Sequence, residues 1–252
     1  MTKSPLKANP LRNPGQSLDE RIQDVIYDEI FEKAIYLIVI FVLALLEWYR
    51  YYMEVKPNPY IMTIAFIILC FYAFPKIIKG RRKLNSLKLG RDGEKAVGQY
   101  LDSLRLNGFE VLHDIVGGQF NIDHIIVSEH GVYTIETKTY SKPGKGEAKI
   151  AYRDGKIFKN NVNIGDGIVI QAKAQAKWLK ELIKDTLGRD YVVQPIVVFP
   201  GWYVDVDNKL LENLWLLNPK GIGSFINNKP KVLSTDDKKA VAYNLSRFVR
   251  NS

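Results

Sequence analysis

Two uncharged apolar runs constrain this chain more than any other feature of its sequence. Residues 34–46 contain no charge or proline, and Phe31, Trp48 and Tyr49 extend the run at its ends. Residues 60–74 are again uncharged, with Ile77 and Ile78 just beyond Pro75. Each uninterrupted core falls short of the roughly 20 residues that a spanning helix prefers. The flanking aromatics, which suit a membrane interface, bring both to about the required length. A short polar, aromatic connection at 50–59 joins them, so the expectation is a helical hairpin over 31–79 that crosses a membrane twice. A buried helix pair of a soluble domain is the alternative reading, against which stands the lack of the polar stripe that globular helices usually keep.

Orientation follows from the basic residues. Lys76, Lys79, Arg81, Arg82, Lys83 and Lys88 follow the second run without an intervening acid, whereas the connection holds only Arg50 and Lys56. The positive-inside bias places the C-terminal part in the cytoplasm, and two crossings return the N-terminal tail, residues 1–30, to the same side. The expected location is therefore the inner (cytoplasmic) membrane. Acidic residues ahead of the first run (Asp19, Glu20, Asp24, Asp28, Glu29, Glu32) argue against a cleaved signal peptide. Residues 80–89 read as a basic linker, which may be read equally as a topology signal or as a contact for anionic lipid.

Over the whole chain, 36 basic against 27 acidic residues leave a net charge of +9, which suits a polyanionic partner or a membrane surface. Cys70 is the single cysteine and there are three histidines, so a disulfide framework and a zinc cluster are both excluded. Any metal here should be a hard, oxygen-seeking ion.

From residue 90 onward the pattern is that of a mixed domain. Apolar residues at 96, 97, 100, 101 and 104 have helical period and Asn107-Gly108 stops the helix. A strand follows at 109–116. Residues 121–138 then read as a hairpin: apolar runs at 122–127 and 132–135 flank a Ser-Glu-His-Gly turn. Alternation puts Glu136 and Lys138 on one face, and antiparallel pairing sets Asp123 across from them. A second, smaller hairpin is expected at 149–158, a helix capped by Asp166 and ended by Gly188, a buried strand at 192–199, a further strand at 211–217, and a closing amphipathic helix at 235–250. The order αβββαβ describes an α/β (α+β sandwich) fold with helices covering a central sheet.

Two carboxylates and an ammonium converging at one sheet end can do phosphodiester chemistry. A Mg²⁺ (or Mn²⁺) held by Asp123 and Glu136 would act as Lewis acid and lower the pKa of a bound water. Lys138 can orient that water and stabilise developing negative charge, and Glu94 on the preceding helix can complete the metal shell. A same-face salt bridge between Glu136 and Lys138, and a dipole role for Glu94, are the alternatives. His113, Asp114, His124 and His130 receive no catalytic role. Lys173, Lys177, Lys180 and Lys184 form either a phosphate-binding or a merely solvated helix face.

The succession Gly90-Arg-Asp-Gly-Glu94, Leu112-His-Asp114, Asn121-Ile-Asp-His124, Gly131-Val-Tyr-Thr-Ile-Glu-Thr-Lys138 and Gln171-x-x-x-Gln175 resembles the nuclease-related domain (NERD) family of the PD-(D/E)xK nuclease-like superfamily. The resemblance covers about residues 88–200. Asn-Ile-Asp stands here for the superfamily's Pro-Asp, and Val169-Ile170 precede Gln171 where many members have Asn-Pro. It implies a restriction-endonuclease-like core within a domain over 90–252, a catalytic set of Asp123, Glu136, Lys138, Glu94 and Gln171, metal ligands Asp123, Glu136 and Glu94, and nucleic acid, DNA above all, as substrate. It also implies that the face shared by Gln171 and Gln175 borders the site. The expected function is thus a membrane-anchored, metal-dependent endonuclease. A nuclease-fold module that binds nucleic acid or a partner protein without turnover is the alternative.

Overall fold

The computed structural model describes residues 10–251 apart from positions 57, 119, 145, 154 and 207–212. Two compact units result: residues 17–88 form one, and the chain from residue 89, with the N-terminal segment up to Gln16, forms the other.

The first unit is helical. Helix α1 (Gln16–Asp24) passes through a π-helical stretch, Val25–Phe31, into α2 (Glu32–Tyr52), and a turn carrying Glu54 at positive φ leads to α3 (Pro59–Ser103). The two long helices run antiparallel. Phe41 meets Phe66 at 5.6 Å between ring centroids, Lys83 pairs with Glu29, and Gly80 sits where a Cβ would approach Ile30 to 3.2 Å. Their apolar side chains face outward: Ile38 is 61% exposed, Ile68 64% and Phe71 79%. Contiguous exposed apolar surface of this kind marks a membrane or protein contact.

The expected pair of crossings is not shown. Among the described residues, one helix is long and apolar enough to cross a membrane, the segment Pro59–Asn107 with mean hydropathy 2.2 in its best window. Helix α2 carries Glu32 in its first turn and Arg50 in its last, with Lys33 and Glu47 inside them, so charges close in on its apolar stretch from both ends. The segment expected at 80–89 as a basic linker is helical. These residues belong to α3, which continues through Pro75 and the basic run to Ser103. Lysine, arginine and leucine are good helix formers, so a charge run without proline stays helical.

The second unit is a mixed α/β domain with two sheets. In the larger, the strand order is β1 (Glu110–Val116), β2 (Asn121–Ser128), β3 (Gly131–Thr137), β7 (Val193–Val198), β9 (Trp215–Leu217). The first three strands are antiparallel, while β3, β7 and β9 run parallel. Both faces are covered. On one, Val97 and Leu101 of α3 and Ile222 and Ile226 of α5 (Ile222–Asn227) meet Ile126, Ile135 and Ile196. On the other, Ala176, Leu179 and Ile183 of α4 (Gly167–Leu187) and Val241 and Leu245 of α6 (Thr235–Asn251) meet Leu112, Ile125 and Val127. Each fully buried aliphatic side chain here stabilises the fold by about 1.5–3 kcal/mol, which explains why the central strands read as nearly unbroken apolar runs.

The smaller sheet has the order β6 (Val162–Asn163), β5 (Lys156–Lys159), β4 (Lys149–Arg153), β8 (Tyr203–Val206). The hairpin expected at 149–158 is its centre, and β6 and β8 are additions. Residues 211 and 212 of the strand expected at 211–217 lie outside the described residues, and pairing is seen from Trp215. Gly188 ends α4 at φ 67, but Asp166 makes no side-chain cap bond at its start. Gly93 and Gly98 of α3 are close-approach positions. A Cβ at Gly93 would lie 2.7 Å from Thr139 Cβ, and one at Gly98 2.6 Å from Pro14 Cβ.

Candidate active site

Strand β2 and strand β3 pair in register from His124 opposite Ile135, which sets Asp123 at the level of Glu136 where the hairpin meets the end of the sheet. Asp123 Oδ2 accepts the backbone N–H of Thr137 at 2.6 Å, tying the carboxylate to β3. Two residues after Glu136, Lys138 leaves the strand with its own N–H donated to Val198 O of β7 at 2.9 Å. Its ammonium returns to Glu136 Oε1 at 2.5 Å.

Helix α4 holds Glu136 from the other side. Gln171 Nε2 donates to Glu136 Oε1 at 2.9 Å, and its Oε1 accepts from Lys138 Nζ at 3.2 Å. One turn later Gln175, fully buried, donates to Glu136 Oε2 at 2.6 Å and to the Asn121 carbonyl at 2.8 Å. The four-residue spacing puts both amides on one helix face. Together they fix the rotamer of a carboxylate that is itself only 3% exposed.

Glu94 of α3 adds a further buried carboxyl group within the field of Asp114, Glu136 and Lys138. Burial, then the negative charges of Asp114 and Glu136, push the Glu94 carboxyl up to about 8, with Lys138 opposing. Burial, then Glu136 and Glu94, hold the Asp123 carboxyl well above the ordinary aspartate value, against the Thr137 N–H and Lys138. Burial disfavours the Lys138 ammonium, yet its ion pair with Glu136 outweighs this and raises it. Carboxylates so crowded with negative charge bind protons or cations more tightly than isolated ones.

The structure therefore joins Glu136, Lys138 and Gln171 by direct hydrogen bonds, sets Asp123 on the neighbouring strand, and places Glu94 within their field. Two further residues stand out beside these: Gln175, whose face the resemblance already set at the site, and Asp114, to which the sequence gave no role. Gln175 is the more deeply buried of the two glutamines and, among the described residues, the side-chain partner of Glu136 Oε2. Asp114 is buried, has φ 52, and accepts Arg12 Nε at 2.6 Å. A non-glycine residue in that left-handed region stores strain of about 1–3 kcal/mol, and the only sequence signal for it was a His-Asp pair inside an apolar strand. The histidines lie apart from the acids' hydrogen bonds. His113 Nδ1 and His124 Nδ1 are 2.9 Å apart, His113 Nε2 reaches Asp102 at 3.1 Å, and His130 Nδ1 contacts Lys229 O at 2.5 Å.

No three histidine, cysteine or acidic side chains among the described residues form a ready-made metal cluster. The donor set still fits a hard divalent ion, because Mg²⁺ commonly takes one or two carboxylates and keeps waters for the rest of its shell. The observation that supports this fit is the donor set itself: the buried Glu136 carboxylate and the Asp123 carboxylate lie level on adjoining strands, both oxygen ligands of the kind a hard ion takes.

Residues 89–200 match the nuclease-related domain family, NERD. That segment holds every member of the cluster, from Glu94 to Gln175, and gives the domain its nuclease-like fold. An uncharacterized protein of Bacillus anthracis is 36% identical over 75 residues, covering 28% of this chain and 35% of the relative. The chain thus spans about a third of the curated relative that it matches. Among solved structures, Pyrococcus furiosus SfsA in complex with Ca²⁺ is similar over 49% of this chain and 52% of that one, at 17% identity and a TM-score of 0.24.

Proposed function

We propose that this protein is a Mg²⁺-dependent (or Mn²⁺-dependent) nuclease that hydrolyses phosphodiester bonds of DNA at the cytoplasmic face of the inner membrane. The observation that carries the reading is Glu136 held by Gln171, Gln175 and Lys138 beside Asp123, inside a segment matching the nuclease-related domain. Asp123 and Glu136 would hold the ion, with Glu94 joining directly or through water. When bound, the ion supplies Lewis acidity at the phosphoryl oxygen and a more acidic water.

The chain's own residues do the rest. Lys138, a donor on a short tether, orients the attacking water and offsets charge that develops on the phosphorane. Gln171 keeps that ammonium beside Glu136 by bonding both, and Gln175 fixes the second carboxylate oxygen. Pre-set geometry of this kind removes reorganisation from the reaction step. The helices of residues 31–79, with their outward apolar side chains, would seat the protein in the bilayer, as a two-helix anchor whose basic collar stays on the cytoplasmic side.

One observation favours the alternative of a binding module without turnover. Both oxygens of Glu136 are already occupied by side-chain donors, so an ion has to displace or share them. The test uses the full chain in detergent with supercoiled, linear and branched DNA, in Mg²⁺, Mn²⁺ or chelator, alongside Asp123→Ala and Lys138→Ala. Metal-dependent cutting lost in both variants is expected. Cutting that survives both substitutions removes the site assignment, and DNA binding without cutting leaves the binding module. For the anchor, a reporter fused after residue 252 should behave as cytoplasmic; an external reporter overturns the orientation.

A further inference from the structure

The smaller sheet presents two different faces. Ile150 and Tyr152 of β4, Ile157 of β5, and Val204 and Val206 of β8 point into a core shared with Phe199 and Trp202. Alternation sends their neighbours the other way. The register pairs Arg153 with Lys156, Ala151 with Phe158, and Lys149 with Tyr203, so these side chains share the outer face. Contacts agree: Lys149 Nζ bonds Asp205 at 2.7 Å and lies 6.0 Å from the Tyr203 ring centroid, and Phe158 is absent from the core beneath. Tyr203 is 65% exposed.

Two features of this face have no use within the fold. Arg153 and Lys156 are like charges directly opposite in an antiparallel pair, an arrangement that destabilises a sheet. Arg153 shares the field of the Asp205 carboxylate with Lys149. On the same face, half-buried Phe158 lies two residues along β5 from Lys156, and exposed Tyr203 lies across β4, level with Lys149, so flat ring surface spans the sheet. Among the described strand residues of this face the acid is Asp205, which is ion-paired with Lys149, so the cations outnumber it.

The sheet also stands next to the acidic cluster in the chain. The segment leading to β4 leaves the C-terminal end of β3 after Lys138, β8 follows β7, which ends opposite Thr137, and β6 runs into α4 just before Gln171.

We infer that the outer face of the smaller sheet binds single-stranded nucleic acid, with bases stacked on Tyr203 and Phe158 and phosphates paired to Arg153 and Lys156, and delivers it to the Glu136–Lys138 end of the larger sheet. Cations interleaved with aromatic rings on an open sheet suit splayed bases, whereas a duplex hides its base faces. This deepens the nuclease reading and rests on it only for the claim that the bound strand is the one cut.

The test measures fluorescence anisotropy of a labelled oligothymidylate of about 20 nucleotides, long enough for the site sizes of such platforms. The full chain is used in detergent and chelator, where cutting does not intervene. Tyr203→Ala should weaken binding about tenfold, within the range seen when one stacking ring is removed. Arg153→Ser with Lys156→Ser should lower the slope of log affinity against log salt by about 1.4, the loss of two phosphate contacts on a single strand. Lys239→Ser, an exposed cation on α6, should change neither, and a matching duplex should bind less tightly. Wild-type binding in the sheet variants overturns the inference, as does equal preference for duplex, or a loss seen only with phosphatidylserine vesicles. Asp123→Ala separates the two readings. Normal oligonucleotide binding by Asp123→Ala with no cutting keeps the site even when the platform fails, and platform losses in a protein that never cuts keep the platform alone.

Discussion

Replacing Gln175 by methionine probes the hold on Glu136 with little change of volume. Gln175 Nε2 donates to the buried carboxylate at 2.6 Å and to the Asn121 carbonyl at 2.8 Å. A hydrogen bond to a charged group contributes about 1.5–3 kcal/mol and a neutral one about 1 kcal/mol. Against that loss, the Gln175 Oε1 is buried without a partner, and removing it returns about 1–2 kcal/mol. The net cost is about 2 kcal/mol, or roughly 4–8 °C in melting temperature for a domain of this size. Urea denaturation in chelator, read by tryptophan fluorescence, measures it, with Trp178 one turn from the substitution as the near reporter. A double-mutant cycle with Glu136→Gln should show a coupling of about 1–2 kcal/mol, because the charge-assisted part belongs to the pair. Wild-type stability in Gln175→Met, with no coupling to Glu136, would refute the claim that α4 positions this carboxylate.

Other predictions follow from the same geometry. Gly93→Ala sets a Cβ against Thr139 and should cost about 1–3 kcal/mol, partly recovered by adding Thr139→Gly; a neutral Gly93→Ala in thermal melts contradicts the close approach. The His113–His124 pair is held neutral by burial, both pKa values lying below the ordinary histidine value. The unfolded chain therefore binds more protons, so stability should fall as pH drops below about 6.5, and His124→Leu should flatten that limb in pH-dependent denaturation. Because the Glu94 carboxyl is raised to about 8, Mg²⁺ affinity by calorimetry should increase as pH climbs through that value. Glu94→Gln should remove the part of the dependence centred there, and an affinity independent of pH in the wild type would argue against Glu94 in the shell.

What was legible in the sequence was what local pattern decides. The alternation on either side of Ser128 and Gly131 gave the β2–β3 hairpin, and the Glu136–Lys138 spacing gave their shared face. The end of α4 at Gly188 was legible because glycine accepts the left-handed φ there. Tertiary pairing was not legible. Strand β8 is four residues whose alternation becomes meaningful only when β4 lies beside it, and β6 is two residues defined wholly by its partner. That residues 80–89 are helical was not legible from their charge run, although lysine, arginine and leucine favour helix. At the site, the resemblance pointed to the face shared by Gln171 and Gln175, while burial decides that Gln175 grips Glu136 more deeply. The strained φ of Asp114 left only the faint mark of a His-Asp pair inside an apolar strand.

Nicking of a supercoiled plasmid by the full-length protein and by Asp123→Asn tests the central claim most directly. Asparagine keeps the shape of the side chain but not the charge next to Glu136 and Lys138. The account predicts relaxed circles in Mg²⁺, none in chelator, and a rate lowered about 10²-fold or more by the substitution. Nicking at the wild-type rate in Asp123→Asn, or nicking indifferent to chelator, would contradict it.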